Sequence, residues 1–407
     1  MLNELSQAEI CKGIISASHY SNIENGRYQP TIDILSLLAE RLSVPVPYFT
    51  KSTEDNIQLE ELLQVYEKKI KMEDTEKLNL FIQTNKKQFE FIPSLEQELN
   101  FNLLKFIHLV KASQIIEAKE LYTQKIINMK NTQSTVNIPI LHKYFYVSGL
   151  YYFFEREWSE SLFFFKELLQ ISNDPLLKAK VSYNISLVSY NLFDYEEALQ
   201  FAKEAKVMYL NLHRWEETGD CYNLIAVLLR ENELFEESEI YLYKGLNIIG
   251  KDSNITRAKL HHNLALIKYN QGDYKEALEK IDTSIHIKEQ TERNDLFISH
   301  RTRLNIFLKM EDTLSLKREL KIAQKHVQTS MDKAHFLFIK AQMHYLLEEF
   351  TYYEDSMKIC VENYLLHKNW KNLKLAAEHY STYLGEKKRY KQAFHYQKIC
   401  TFALKKL

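Results

Sequence analysis

Over most of Gln58 to Leu407 apolar and polar positions alternate with a helical period, interrupted by short polar breaks. Three stretches line up. They are "YNISLVSYNLFDYEEALQFAKEA" from Tyr183, "YNLIAVLLRENELFEESEIYLYKGL" from Tyr222 and "HNLALIKYNQGDYKEALEKIDTS" from His262. Each reads as a helix, a polar break, and a second helix that opens on an aromatic residue with a small one three positions on. The pairs are Tyr195/Ala198, Phe235/Ser238 and Tyr274/Ala277. The same signature recurs at Trp158/Ser161, Tyr353/Ser356 and Tyr390/Ala393, with Thr313/Leu316 in the remaining place and weaker matches at Ile115/Ala118 and Thr75/Leu78. From Trp158 to Tyr390 the intervals are 37, 40, 39, 39, 40 and 37 residues. The aromatic packs on the first helix, and the small residue lets the two backbones approach. One such hairpin cannot bury its apolar face alone, so hairpins stack.

Composition agrees. Eight glycines and six prolines in 407 residues, with no proline after Pro175, leave little to interrupt helices. The expected fold is all-α. The aromatic-x-x-small entry to the second helix resembles the tetratricopeptide repeat, although the period near 39 exceeds its usual 34. That resemblance implies a right-handed superhelix with a concave surface.

The first fifty residues have a different pattern. Ser6 and Glu9 form a capping box, so a helix starts there. Ser16 caps a second helix over about Ala17 to Glu24. Asn25-Gly26 marks a turn, and Thr31 caps a third helix with Ile34, Leu35, Leu38 and Leu42 on one face. Pro45 and Pro47 end the unit. "LSQAEI", "ISASHYSNIENG" and "PTIDILSLLAERL" together resemble the Cro/repressor-like helix-turn-helix family. The resemblance implies a recognition helix lying in the major groove of double-stranded DNA. By position, Ser16, Ser18, His19 and Asn22 face the duplex, Gln7 lies near a phosphate, and Arg27 sits in the following loop. Leu5, Ile10, Tyr20 and Ile23 are assigned to the core. Residues 1–50 hold three basic side chains against five acidic ones, a weak electrostatic footprint for DNA. The family also places a basic helix ahead of the "LSQ" position, which Met1 to Glu4 are too few to form.

The domains expected are therefore 1–52, a DNA-binding helix-turn-helix; 53–60, a linker; and 61–407, the repeat array. This combination resembles the RNPP class of peptide-pheromone regulators, most closely its neutral-protease regulator branch. The resemblance implies a cytoplasmic regulator, a homodimer or higher homo-oligomer, that binds DNA and a short signalling oligopeptide. Asn184, Asn223 and Asn263 occupy equivalent places in three repeats, 39 and 40 residues apart. An asparagine offers a donor and an acceptor, and in the family equivalent asparagines clamp the peptide backbone. Gln342 stands near the same place, as does His379. Arg230 and Lys268 are candidates for a peptide carboxylate, and Tyr190 and Tyr269 for apolar walls.

Charge and chemistry exclude other classes. Lys and Arg total 53 against 54 Asp and Glu, so there is no basic coat. Cys11, Cys221, Cys360 and Cys400 are far apart, with no Cys-x-x-Cys pair, which suits reduced thiols and no zinc site. No His-Glu-x-x-His, Gly-x-Ser-x-Gly, P-loop or Gly-x-Gly-x-x-Gly occurs, and His261-His262 point to different helix faces. The expectation is a non-enzyme with no cofactor, no metal and no membrane span. The competing reading is a peptide-controlled protein of the response-regulator-binding or phosphatase type, with a vestigial helix-turn-helix.

Overall fold

The computed structural model describes residues 5–50, 56–127, 137–250, 252–291 and 295–406. The chain divides into two compact units, Met1–Asp194 and Tyr195–Leu407.

The first unit opens with α1 (Gln7–Cys11), α2 (Ala17–Glu24), α3 (Ile32–Leu42) and the short α4 (Pro47–Thr50). It continues through α5 (Ile57–Met72), α6 (Thr75–Thr84), α7 (Lys86–Glu90), α8 (Leu95–Lys111), α9 (Ile115–Leu121), α10 (Ile138–Glu155), α11 (Trp158–Ile171) and α12 (Pro175–Asn191). Helix α5 begins inside the segment expected to be a linker, because the Asn56 side chain accepts a hydrogen bond from Leu59 N and caps it. Residues 53–55 of that segment lie outside the described residues, as do Met1 to Glu4.

The second unit runs through α13 (Tyr195–Asn211), α14 (Trp215–Glu231), α15 (Phe235–Ile248), α16 (Asn254–Gln271), α17 (Tyr274–Gln290), α18 (Leu296–Lys309) and α19 (Thr313–Ala323). It ends with α20 (Ser330–Leu346), α21 (Phe350–Leu366), α22 (Trp370–Glu386) and α23 (Tyr390–Leu404). Among the described residues there are no strands, and no helix is long and apolar enough to cross a membrane.

The hairpin rule holds in most repeats, the last excepted, where Tyr390 is 68% exposed and Ala393 only partly buried. Ala118, Ser161, Ala198, Ser238, Ala277, Leu78 and Leu316 are all wholly buried. Two of the small residues do more than make room. Ser161 Oγ donates to Gly149 O at 2.8 Å and Ser238 Oγ to Ala226 O at 2.6 Å, each tying its helix to the one before. One assignment shifts. Helix α21 starts at Phe350, so the small-residue place falls on Tyr353, which is 2% exposed, and not on Ser356. Ala334, Ala341 and Ala376 in the same cluster provide the space for that ring.

Close approach has a measurable consequence at Gly149. A Cβ there would stand 2.5 Å from the ring of the fully buried Phe165. Gly149→Ala is expected to cost about 1–3 kcal/mol as overpacking. Denaturant midpoints check it, and an unchanged midpoint would mean that the ring moves aside freely.

Candidate functional site

The helix-turn-helix face carries the DNA candidates, and one cavity is lined by Gln342, Tyr269 and His379 of the peptide candidates, with Asn184, Tyr190, Asn223, Arg230, Asn263 and Lys268 outside its lining. Both halves of the Ser6 capping box form: Glu9 N donates to Ser6 Oγ and Ser6 N donates to Glu9 Oε2 at 2.7 Å. The Ser6 hydroxyl and amide hold the Glu9 carboxyl below its usual range. Ser16 caps α2 by accepting from His19 N at 3.2 Å, with its hydroxyl 3.1 Å from that of Ser18. Thr31 stands at the α3 N-cap without a side-chain cap bond. The core beneath is Cys11, Tyr20 and Leu38, flanked by Ile10, Ile14, Ile15 and Ile34. Gly26, with φ +67°, makes the turn after α2.

Of the six residues assigned to DNA, Ser16, Ser18, Asn22 and Arg27 are exposed. His19 is half-buried. Its ring stands edge-on to Tyr28, with centroids 4.3 Å apart. Gln7 Nε2 donates to Glu24 Oε2 and clasps α1 to the end of α2. A phosphate contact from Gln7 therefore competes with that bond. Sequence reasoning missed Arg41. Its guanidinium donates to the carbonyls of Glu9 at 2.8 Å and Lys12 at 3.1 Å, closing the C-terminal end of α1 with a residue from α3.

The second surface is a cavity of about 810 Å³ in the second unit, lined by α16, α18, α20, α21 and α22. That is within the range of small-ligand sites. On the first helix of each hairpin the lining follows one stripe. Arg301, His335 and Leu375 hold the sixth place of their helices; Asn305, Ile339 and His379 hold the tenth. Gln342 lines the cavity as expected, and Tyr269 forms part of its wall.

Asn263 also stands at the tenth place of its helix. Its Nδ2 donates to Asn223 Oδ1 at 2.7 Å, and Arg230 Nη1 donates to Asn263 Oδ1 at 3.1 Å. The two amides and the guanidinium thus form one hydrogen-bonded chain, which Glu231 extends by pairing with Arg230 at 3.0 Å. Lys268 departs from its expected role as a carboxylate ligand. It sits between Glu239 at 2.7 Å and Glu276 at 3.1 Å, two acids that already neutralise it. Asn184 and Tyr190 belong to α12 of the first unit. The Tyr146 hydroxyl, its ionisation disfavoured mainly by burial, bonds the Asn184 side chain.

Sequence reasoning also missed Asn305 and Arg301. Asn305 continues the asparagine series, but it lies 42 residues after Asn263, beyond the 39- and 40-residue steps used to find the others. Among the described residues no group of His, Cys, Asp or Glu could hold a metal ion. All four cysteines are buried, and burial pushes the Cys360 thiol up to about 12.

Comparison with known proteins supplies the context. Residues 2–49 match the family profile described as helix-turn-helix. The chain is 24% identical over 302 residues to the transcriptional activator NprA of Geobacillus stearothermophilus, covering 70% of each protein. The apo quorum sensor NprR from B. thuringiensis superposes with a TM-score of 0.69 at 16% identity, over 85% of this chain and 99% of that one. NprR in complex with its cognate peptide NprX gives 0.62 at 15% identity, over 85% and 99%. A Rap protein complexed with competence and sporulation factor gives 0.67 at 16% identity, over 86% and 99%. This chain is thus a homologue of a transcriptional activator, with a helix-turn-helix at its N-terminus and the helical-repeat fold seen in NprR and the Rap protein.

Proposed function

We propose that this protein is a DNA-binding transcription regulator controlled by a short signalling peptide held in the concave face of its repeat array. The observation that carries the reading is the pairing, in one chain, of an exposed Ser16–Ser18–Asn22–Arg27 face with a cavity of about 810 Å³ whose wall mixes rings with amides and cations. The similarity to an activator supports the first half. The quorum sensor of like fold, solved with its cognate peptide, supports the second. On this reading residues 1–52 form the reading domain and 61–407 the sensing domain. The regulator acts in the cytoplasm as a homodimer, each copy contacting a half-site, and catalyses no reaction. Asn223, Asn263, Gln342 and Asn305 then hold the peptide backbone.

The test is selection of DNA fragments by the full chain from a pool of genomic sequences. Recovery of one motif, with affinity that falls steeply as salt rises, is the expected result. Arg27→Ala weakens all sequences alike and lowers the salt slope by about 1, as loss of a phosphate contact does. Asn22→Ala costs about 1–3 kcal/mol and relaxes preference at one base pair. Enrichment no better than that of random duplexes would remove the DNA half of the proposal.

A further inference from the structure

Several arginine and lysine side chains in the second unit are held by the chain's own side chains. Arg230 is held by Asn263 and Glu231, Lys268 by Glu239 and Glu276, and Arg303 by Asp282 at 2.8 Å and Glu319 at 2.6 Å. Arg301 is half-buried and lines the cavity, yet among the described residues no carboxylate lies within ion-pair distance of it. The nearest acidic groups are already engaged. Asp332 accepts from Thr329 N at 3.0 Å as part of a capping box, and the Tyr364 hydroxyl is 2.9 Å from His335 Nδ1.

Burial lowers the Arg301 pKa from its ordinary value, even though Tyr364 and Asp332 pull the other way. Desolvating a cation without a partner is costly, and a protein usually offsets it with an anion in place. Around this guanidinium the field is positive. His335 and His262 both feel Arg301 as a repelling charge, and Lys309 and Lys371 line the same cavity. Glu311 is the acidic residue of the lining. The fork of an arginine matches a carboxylate in two parallel hydrogen bonds.

We infer that Arg301 is the carboxylate anchor of the cavity, and that its ligand is an oligopeptide bearing a carboxylate, either an Asp or Glu side chain or a free C-terminus. This inference rests on the peptide-sensing proposal and sharpens it, because Arg230 and Lys268 are already spoken for by the chain's own acids.

The probe is a random heptapeptide library made in four parts: free or amidated at the C-terminus, with or without Asp and Glu. Each part is passed over the immobilised full chain, and retained peptides are read by mass spectrometry. Retention from parts that carry a carboxylate, and none from the amidated part lacking Asp and Glu, is expected. Which of the two single-carboxylate parts is retained identifies the source. Arg301→Gln is expected to lower retention about 10- to 100-fold, the size of one charge-assisted contact. Arg301→Lys falls between, and Lys391→Gln on exposed α23 changes nothing. Among the described residues Arg301 has no ion-pair partner to lose and its desolvation is unfavourable, so the thermal midpoint of Arg301→Gln is no lower than that of the parent.

Equal retention of the amidated, acid-free part overturns the anchor and leaves peptide binding standing. So does undiminished retention by Arg301→Gln. Retention of no part by the parent chain overturns the anchor and the peptide-sensing proposal together.

Discussion

Replacing Glu319 with alanine costs the array about 3–5 kcal/mol, the penalty for breaking a buried charged network from one side. Glu319 is 3% exposed and serves two partners from α18. Its Oε1 lies 2.7 Å from His300 Nδ1, and its Oε2 accepts from Arg303 Nη2 at 2.6 Å. His300 is wholly buried, and its Nε2 has no hydrogen-bond partner; nor does Arg303 Nε. Neither side chain can turn to another acceptor except Asp282, which already holds Arg303 Nη1. The alanine variant therefore leaves the wholly buried His300 imidazole without its acceptor and the partly covered Arg303 with Asp282 alone. A Glu319→Leu, Arg303→Met double variant removes both charges and is expected to lose much less. Urea unfolding measures both. Because each repeat contacts its neighbours, hydrogen exchange in the alanine variant rises first in α18 and α19. A loss under about 1 kcal/mol for Glu319→Ala would show that the network contributes little.

Acid is the second strong lever. Burial holds His261 down to about 4, His262 to about 3 and His335 to about 4, with nearby cations such as Lys280, Lys288 and Arg301 adding to each in turn. An unfolded histidine takes up a proton near pH 6.5. Between that value and about 4 the unfolded chain binds more protons than the folded one, so stability rises with pH. It is fully present above about pH 6.5 and is lost as the pH falls towards 4. A tenfold difference in proton affinity between the folded and unfolded chain is worth about 1.4 kcal/mol. Solvent screens the rings that are only partly covered, which reduces the sum. The three histidines together are therefore expected to remove at least about 3 kcal/mol across that window. Carboxylates act at lower pH. The Arg389 guanidinium is the main cause that holds Glu354 below 4.5, so this pair's contribution is lost only below that point. Melting temperatures from pH 7 to 4 should fall steeply in the parent and more gently in a His261→Gln, His262→Gln, His335→Gln variant. Parallel curves would rule out the histidines as the cause.

The parts of the fold governed by local rules were legible in the sequence. Ser6 with Glu9, and Ser16 with its helix to Glu24, act within four residues of themselves, and both appear as expected. The hairpin starts at Trp158, Tyr195, Phe235, Tyr274, Thr313 and Tyr390 likewise follow from spacing. The remaining start, expected at Tyr353, went astray because "FTYYEDS" offers aromatics at 350, 352 and 353, and only packing against distant alanines selects the register. The candidate site was harder to read. Lys268 looks like an available cation, but its acids come from α15 and α17. Arg301 gives no sign in the sequence of its place in the cavity wall, and only the folded array shows that among the described residues no carboxylate pairs with it. Partnership between side chains on different helices has no signature in a single sequence.

The end of the helix-turn-helix segment is stitched into the first unit at two places. Tyr48 Oη donates to Glu98 Oε2 at 3.0 Å, and Asn56 exchanges a pair of hydrogen bonds with Gln97. Lys125, on the turn after α9, reaches the other oxygen of Glu98 at 3.6 Å. One carboxylate on α8 is therefore a shared rivet: a tilt of α8 large enough to part it from Lys125 also tugs on the phenol at the base of the helix-turn-helix segment.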